Sequence, residues 1–237
     1  MPTKEDLLNE KRKYGLKEII NLEELKLLEQ NVPIQHIMGY VDFLGINIKV
    51  NKNVLIPRYE TMELVDLFLK KYAKNNTKIL DLCTGSGCIG IKIKKDLPGS
   101  EVILSDISLE ALKIAKENCL NNLNADELKG ISILHSNLFE KINNKFDVII
   151  SNPPYLNKKD TDIDESVKQF EPHIALFADD NGWAIYEQIL SDYKKFLNKN
   201  GILIMEINPK HESKWKNIKN AHLIKDINNK YRFVVFK

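Results

Sequence analysis

The chain has 237 residues, 43% hydrophobic and 29% charged, with a formal net charge of +2. That length suits one α/β domain plus a small appendage and is enough to bury a core. The near-neutral total excludes a chain-wide electrostatic pull toward nucleic acid, and no apolar run approaches the ~20 residues of a membrane span.

Residues 4–30 are rich in Leu, Glu, Lys and Ile at spacings that predict one or two amphipathic helices. Asn21 followed by Glu24 predicts a capping box at the second, and Pro33 closes the region. Over 34–58 the pattern changes, and residues 40–50 predict two short strands with a bend at Gly45, a β-hairpin linker. A helix is expected over 61–72. From Lys78 onward short apolar strands alternate with helices: Ile79-Leu80-Asp81-Leu82, Val102-Ile103-Leu104, Ile131-Ser132-Ile133-Leu134, Phe146-Asp147-Val148-Ile149-Ile150, then strands at 201–207, 223–227 and 232–236. Ser108 is expected to cap a helix over 109–120, and a helix is expected over 183–197. Residues 156–180 read as less regular. The alternation predicts an α/β fold, a doubly wound, mostly parallel sheet covered on both faces. The expected division is a short helical region (1–32), the hairpin linker (33–58) and the main domain (59–237).

Residues 1–14 are charged and lack an apolar core, so no signal peptide is expected. Cys83, Cys88 and Cys119 form no CxxC, and the five histidines show no HxxxH spacing. A reduced, cytoplasmic, metal-free protein is the simplest expectation.

The first candidate site is the turn after the first sheet strand, Asp81-Leu82-Cys83-Thr84-Gly85-Ser86-Gly87. Such turns lie at the carboxyl ends of parallel strands, where open sheets bind ligands. Asp106 follows about 20 residues later, where a carboxylate can accept both hydroxyls of a ribose. Gly85, Gly87 and Gly90 spell GxGxxG, which by itself equally admits NAD or a plain tight turn. Asp81 would repel a pyrophosphate but welcome a cation, and no hydride-transfer acid is evident further on. S-adenosylmethionine carries both a sulfonium and an ammonium, so it is the expected cofactor.

The second site is Asn152-Pro153-Pro154-Tyr155 at the end of the fourth sheet strand, which should neighbour the first across the switch point. The amide oxygen of Asn152 and the carbonyl of Pro153 can each accept one N–H of a planar NH2 group. The two prolines stiffen that backbone. Tyr155 can stack on a flat acceptor. The tetrapeptide alone leaves adenine, guanine and glutamine open as acceptors. The bland alternative is a strand broken by two prolines.

Taken with Leu55-Ile56-Pro57-Arg58-Tyr59-Glu60-Thr61, Glu171-Pro172, Ala175-Leu176 and Asp180-Asn181-Gly182, these residues identify a resemblance. From about Pro33 onward the chain resembles the HemK-type glutamine N5-methyltransferases of peptide chain release factors. The resemblance implies a class I S-adenosylmethionine-dependent methyltransferase, Rossmann-like, with seven strands and the last antiparallel. It implies that Asp81, Cys83, Thr84, Gly85, Ser86, Gly87, Asp106, Ile107, Asn137, Leu138 and Asn152 hold the cofactor, with Ile107 against the adenine. It implies that Asn152, Pro153, Pro154, Tyr155 and Arg58 meet the substrate, with Asn152, Pro153 and Tyr155 at the chemistry. The expected partner is a release factor, with no membrane and no stable nucleic-acid partner, and the expected state is a monomer. The runner-up acceptors are a ribosomal-protein glutamine or an exocyclic N6-adenine or N2-guanine amine.

The chain departs from the family in several places. Cys83 stands where Gly is usual, Asn137 where an acid is usual, Tyr59 where a second Pro is usual, and Met62 where Glu is usual. Only 32 residues precede Pro33, fewer than the family's usual helical domain. His135 and His173 read as loop or packing residues, Trp183 and Tyr186 as seats for a helix, and the lysines of 210–219 as a solvated face.

Overall fold

The computed structural model describes residues 2–237. Helices α1 (Lys4–Lys13) and α2 (Leu22–Glu29) each open on a capping box, Thr3 with Asp6 and Asn21 with Glu24. Buried Lys11 joins them by pairing with Glu24 and donating to the carbonyl of Ile19. Pro33 does not end the region but begins a short helix, α3 (Ile34–Met38). Its φ of −53° already suits a helix start, and its missing N–H would have no helical partner there.

Strands β1 (Tyr40–Phe43) and β2 (Ile46–Lys49) form the expected antiparallel hairpin. Leu44 and Gly45 make its two-residue turn, both left-handed. The hairpin docks on α6 (Leu109–Asn122) through side chains. Asn118 accepts from the Lys49 amide (2.7 Å) and donates to its carbonyl (3.0 Å), and Asn122 does the same for Asn47. Fully buried Asn118 also donates to the Ser86 carbonyl (2.9 Å), so the hairpin and the Gly-rich turn share one support.

The main sheet has seven strands: β3 (Lys78–Leu82), β4 (Glu101–Asp106), β5 (Ile131–His135), β6 (Phe146–Ser151), β7 (Leu197–Glu206), β8 (His222–Lys225) and β9 (Tyr231–Phe236). Their spatial order is β5-β4-β3-β6-β7-β9-β8, parallel except for β9, which runs antiparallel to both its neighbours. β7 starts earlier than the sequence predicts, because Leu197 pairs with Phe146 ahead of an irregularity in the ladder. Alternate residues feed two cores. Ile79, Ile204 and Val235 face α4 (Tyr59–Lys71), α5 (Cys88–Asp96), α6 and the hairpin. Leu80, Leu203 and Val234 face the aromatic side built on α10 (Ala184–Asp192) and α11 (Glu212–Lys216). Trp183, Tyr186 and Trp215 cluster there with centroids 4.8 to 5.4 Å apart. Each fully buried large side chain contributes about 1.5–3 kcal/mol, so both faces are well anchored.

The irregular stretch holds two short helices, α8 (Glu165–Phe170) and α9 (His173–Leu176), after α7 (Ala125–Lys129) earlier in the chain. A turn with left-handed Asp180 and Asn181 then leads into α10. No helix of the described residues is long and apolar enough to cross a membrane.

Candidate active site

Register assembles the site. Leu82 of β3 is paired with Ser105 of β4 on one side and Ser151 of β6 on the other. The residues that follow these three therefore emerge together at the carboxyl edge: the Gly-rich turn, Asp106 and Asn152. This is the switch point where such sheets bind ligands.

Asp81 shapes the turn from beneath. Its Oδ2 accepts from the Thr84 hydroxyl (2.5 Å) and the Gly90 amide (2.9 Å). A β-carbon at Gly90 would stand 2.2 Å from Leu104 Cδ2, so glycine lets α5 press onto the sheet. Asp81 is fully buried, Oδ1 has no partner, and burial pushes its pKa up to about 7. The folded carboxyl thus keeps its proton over roughly pH 4–7, where the unfolded chain has released it. Its contribution to stability is lost as pH rises through that window. Asp81→Asn is expected to flatten the pH dependence, seen as urea midpoints for both proteins between pH 5 and 8. An unchanged slope would refute the assignment.

The first cavity lies above the turn. Cys83, Thr84, Gly85 and Ser86 form its floor, and Asp106 and Ile107 one wall. Asp106 Oδ2 accepts from the Gly85 amide (2.8 Å) and Oδ1 from the Ser108 amide (2.9 Å), so the carboxylate is fixed at the rim. Burial raises its pKa against those bonds. Ile107 leaves 46% of its surface exposed, an apolar slab at the cavity edge. Asn137 and Leu138 close the far end, and Asn137 donates to Glu140 (2.7 Å), which leaves its oxygen available.

Asn152 lies between this cavity and a second, wider one of about 730 Å³. Its Nδ2 donates to Thr61 Oγ1 (3.0 Å), and Thr61 donates to Glu206 Oε2 (2.7 Å). The Tyr155 hydroxyl donates to Glu206 Oε1 (2.7 Å). No donor among the described residues reaches Asn152 Oδ1 or the Pro153 carbonyl. Burial raises the pKa of Glu206, opposed by the Tyr155 and Thr61 bonds and by Arg232. Burial also raises that of Tyr155 far above the usual phenol range, so Tyr155 stays a neutral donor.

Arg58 lines the second cavity and pairs with the buried carboxylate of Glu171 (2.5 Å), which also accepts from the Ile56 amide (2.9 Å). The pair ties the segment after the hairpin to the loop that carries α8 and α9.

Residues 63–171 match the Methyltransferase small domain family. A release factor glutamine methyltransferase of Streptococcus pneumoniae is 39% identical over 204 residues, covering 82% of this chain and 71% of that protein. A protein of the same description from Lactococcus lactis is 41% identical over 201 residues, covering 81% and 72%. The chain belongs to the release factor glutamine methyltransferase family. A crystal structure of a methyltransferase from Pyrococcus furiosus shares the fold, with a TM-score of 0.59 at 16% identity over 90% of this chain and 97% of that one.

Within this methyltransferase, Cys83, Thr84, Gly85, Ser86, Asp106, Ile107, Asn137, Leu138 and Asn152 all line the first cavity. Asp81 and Gly87 do not. Asp81 lies under the turn, and Gly87 caps α5 against Ile91 and Ala115, so both act by shaping the loop. Pro153, Tyr155 and Arg58 line the second cavity, whereas Pro154 faces the first. Tyr155 does more than offer a face, since its hydroxyl is tied to Glu206 and its ring stacks toward Tyr186 at 6.3 Å. His135 and His173 touch backbone carbonyls of Ile107 and Lys168. The lysines of 210–219 are largely paired: Lys210 with Asp160 and Asp162, Lys214 with Asp180, and Lys216 with Glu212.

Cys83 has φ of +60°, the left-handed conformation that favours glycine, which accounts for the glycine usual in the family. Relief of that strain offsets the packing lost on removing the thiol. Cys83→Gly is therefore expected to change stability by no more than about 1 kcal/mol and to keep activity, as measured by urea denaturation and methyl transfer. A large loss of either would mean that the thiol has a role of its own.

Sequence reasoning missed two residues. Glu206 had a signal: a carboxylate ending the apolar run Gly201-Ile202-Leu203-Ile204-Met205, just as Asp106 ends β4. Thr61 had none beyond its place in the family segment.

Proposed function

We propose that this enzyme transfers the methyl group of S-adenosylmethionine to the side-chain N5 of a glutamine in a peptide chain release factor. The observation that carries the reading is the pair of unpartnered acceptors, Asn152 Oδ1 and the Pro153 carbonyl, where the two cavities meet. Two acceptors and no donor suit an NH2 group.

The first cavity suits the cofactor's chemistry. Asp106 would hold the ribose hydroxyls and the exposed face of Ile107 the adenine, while Asp81, buried beneath the turn, fixes the loop that floors the cavity. When bound, the cofactor supplies an electrophilic methyl group on a sulfonium. The chain's own task is orientation. An amide nitrogen is a weak nucleophile because its lone pair is delocalised. Accepting both N–H bonds at Asn152 and Pro153 holds the nitrogen and favours the pyramidal geometry of the transition state. No strong base is needed, since the nitrogen becomes acidic as it is alkylated. The second cavity has room for a peptide segment and not only a side chain. Asp160, Asp162, Lys210, Lys230 and Arg232 give its rim charges of both signs, which suits a polypeptide better than a phosphate backbone.

The test offers labelled S-adenosylmethionine with intact release factor, ribosomal proteins and nucleic acid in parallel, and maps the product by mass spectrometry. N5-methylglutamine in the release factor is the expected product. Label in an exocyclic base amine or a ribosomal-protein glutamine, with the release factor unmodified, would replace this reading.

A further inference from the structure

A carboxamide presents an oxygen and an NH2 of nearly the same shape, and only the oxygen can accept from an incoming NH2 group. We propose that Thr61 and Glu206 are positioning residues that lock the Asn152 side chain with its oxygen toward the acceptor. The inference rests on the reading of Asn152 as an acceptor for an NH2 group, and it holds for any such substrate.

The polarity of the lock begins at Glu206. An ionised carboxylate only accepts hydrogen bonds. Both its oxygens are engaged, Oε1 by Tyr155 and Oε2 by Thr61, at 2.7 Å each. The Thr61 hydroxyl has a single hydrogen. Once that is given to Glu206, Thr61 Oγ1 faces Asn152 as an acceptor. Asn152 Nδ2, 3.0 Å away, is the group that satisfies it. The flipped carboxamide would set Asn152 Oδ1 against the lone pairs of Thr61 with no hydrogen between them. Thr61 is 2% exposed and Glu206 1%, so bulk water does not relieve that repulsion. The other charged groups facing Glu206 are Arg232, which favours its ionised form, and Glu60, which opposes it.

The chain of bonds also fixes position. Thr61 stands in the first turn of α4, which packs on β7, and Glu206 ends β7. The orientation of Asn152 at the end of β6 is thus set by two neighbouring elements of the scaffold. Thr61 also borders the first cavity, so a loss of cofactor binding must be told apart from a loss of orientation.

The test compares Thr61→Val and Thr61→Ser in the full chain, alone and with Asn152→Ala. It uses single-turnover methyl transfer to release factor and titration with S-adenosylhomocysteine. Thr61→Val is expected to slow transfer on the order of 100-fold while S-adenosylhomocysteine affinity stays within about threefold. Thr61→Ser, which keeps the hydroxyl, should stay within about threefold of the parent rate. Adding Thr61→Val to Asn152→Ala should cost less than about threefold more, because no carboxamide remains to be oriented. Thr61→Ala removes the same oxygen without adding a methyl group and carries the same expectations if the valine does not fit. A parent-like rate in Thr61→Val would overturn the proposal. So would an equal loss with and without Asn152, or a serine variant as slow as the valine. If the parent enzyme leaves the release factor unmodified, the substrate reading fails instead, and the same comparison is run on the acceptor it does methylate.

Discussion

Asn152→Ala is expected to slow methyl transfer by about 100- to 1000-fold, the usual consequence of deleting one preorganised hydrogen-bond partner at a reacting centre. The substitution removes the acceptor Oδ1 and leaves the Pro153 carbonyl alone to meet the two N–H groups. The rest of the first cavity is untouched: Asp106 keeps its bonds from Gly85 and Ser108, and the turn above Asp81 does not depend on Asn152. S-adenosylhomocysteine affinity, measured by calorimetric titration, should therefore change little. The sharp outcome is a fall in kcat without a matching fall in cofactor affinity. Turnover near the parent rate would show that the NH2 group is held elsewhere.

Gly182→Ala is expected to lower stability by about 2–4 kcal/mol, the sum of a left-handed alanine and a backbone collision. Gly182 has φ of +89°. A β-carbon there would stand 2.2 Å from the Tyr155 carbonyl oxygen and 3.2 Å from the Leu156 carbonyl carbon. Backbone cannot swing away as a side-chain tip would. Leu156 is held on both sides, donating to the Leu176 carbonyl (2.9 Å) and accepting from the Ala178 amide (3.1 Å). The Tyr155 carbonyl is further fixed by Asn208 (3.2 Å). Relief must come from moving the tetrapeptide itself, so activity should fall more than the loss of folded protein explains. Urea denaturation and the rate per folded molecule measure the two effects. Stability within about 0.5 kcal/mol of the parent would show that the turn can open without strain.

Asn152 was legible in the sequence, whereas the contact made by Gly182 was not. The Gly-rich turn, Asp106 and Asn152 each directly follow or end an apolar strand, and a parallel sheet aligns strand ends. Strand order then needed only the switch-point rule, which set β3 beside β6. The helices missed at 34–38, 165–170 and 173–176 are six residues or fewer, too short to show a helical period. The reach of Gly182 to Tyr155 depends on a loop path that no local pattern encodes.

Composition, strand periodicity and the position of the two motifs at strand ends thus determined the fold and the place of the candidate site, because those signals are local and repeat along the chain. Tertiary structure decided which polar groups face the two cavities and which serve the scaffold. Asp81, expected at the ligand, lies beneath the turn because α5 presses down at Gly90. Thr61 and Glu206, 145 residues apart in the chain, meet at Asn152 because α4 packs across β7. The direction of a hydrogen bond depends on its partner's partner, and in this chain that partner came from a distant segment.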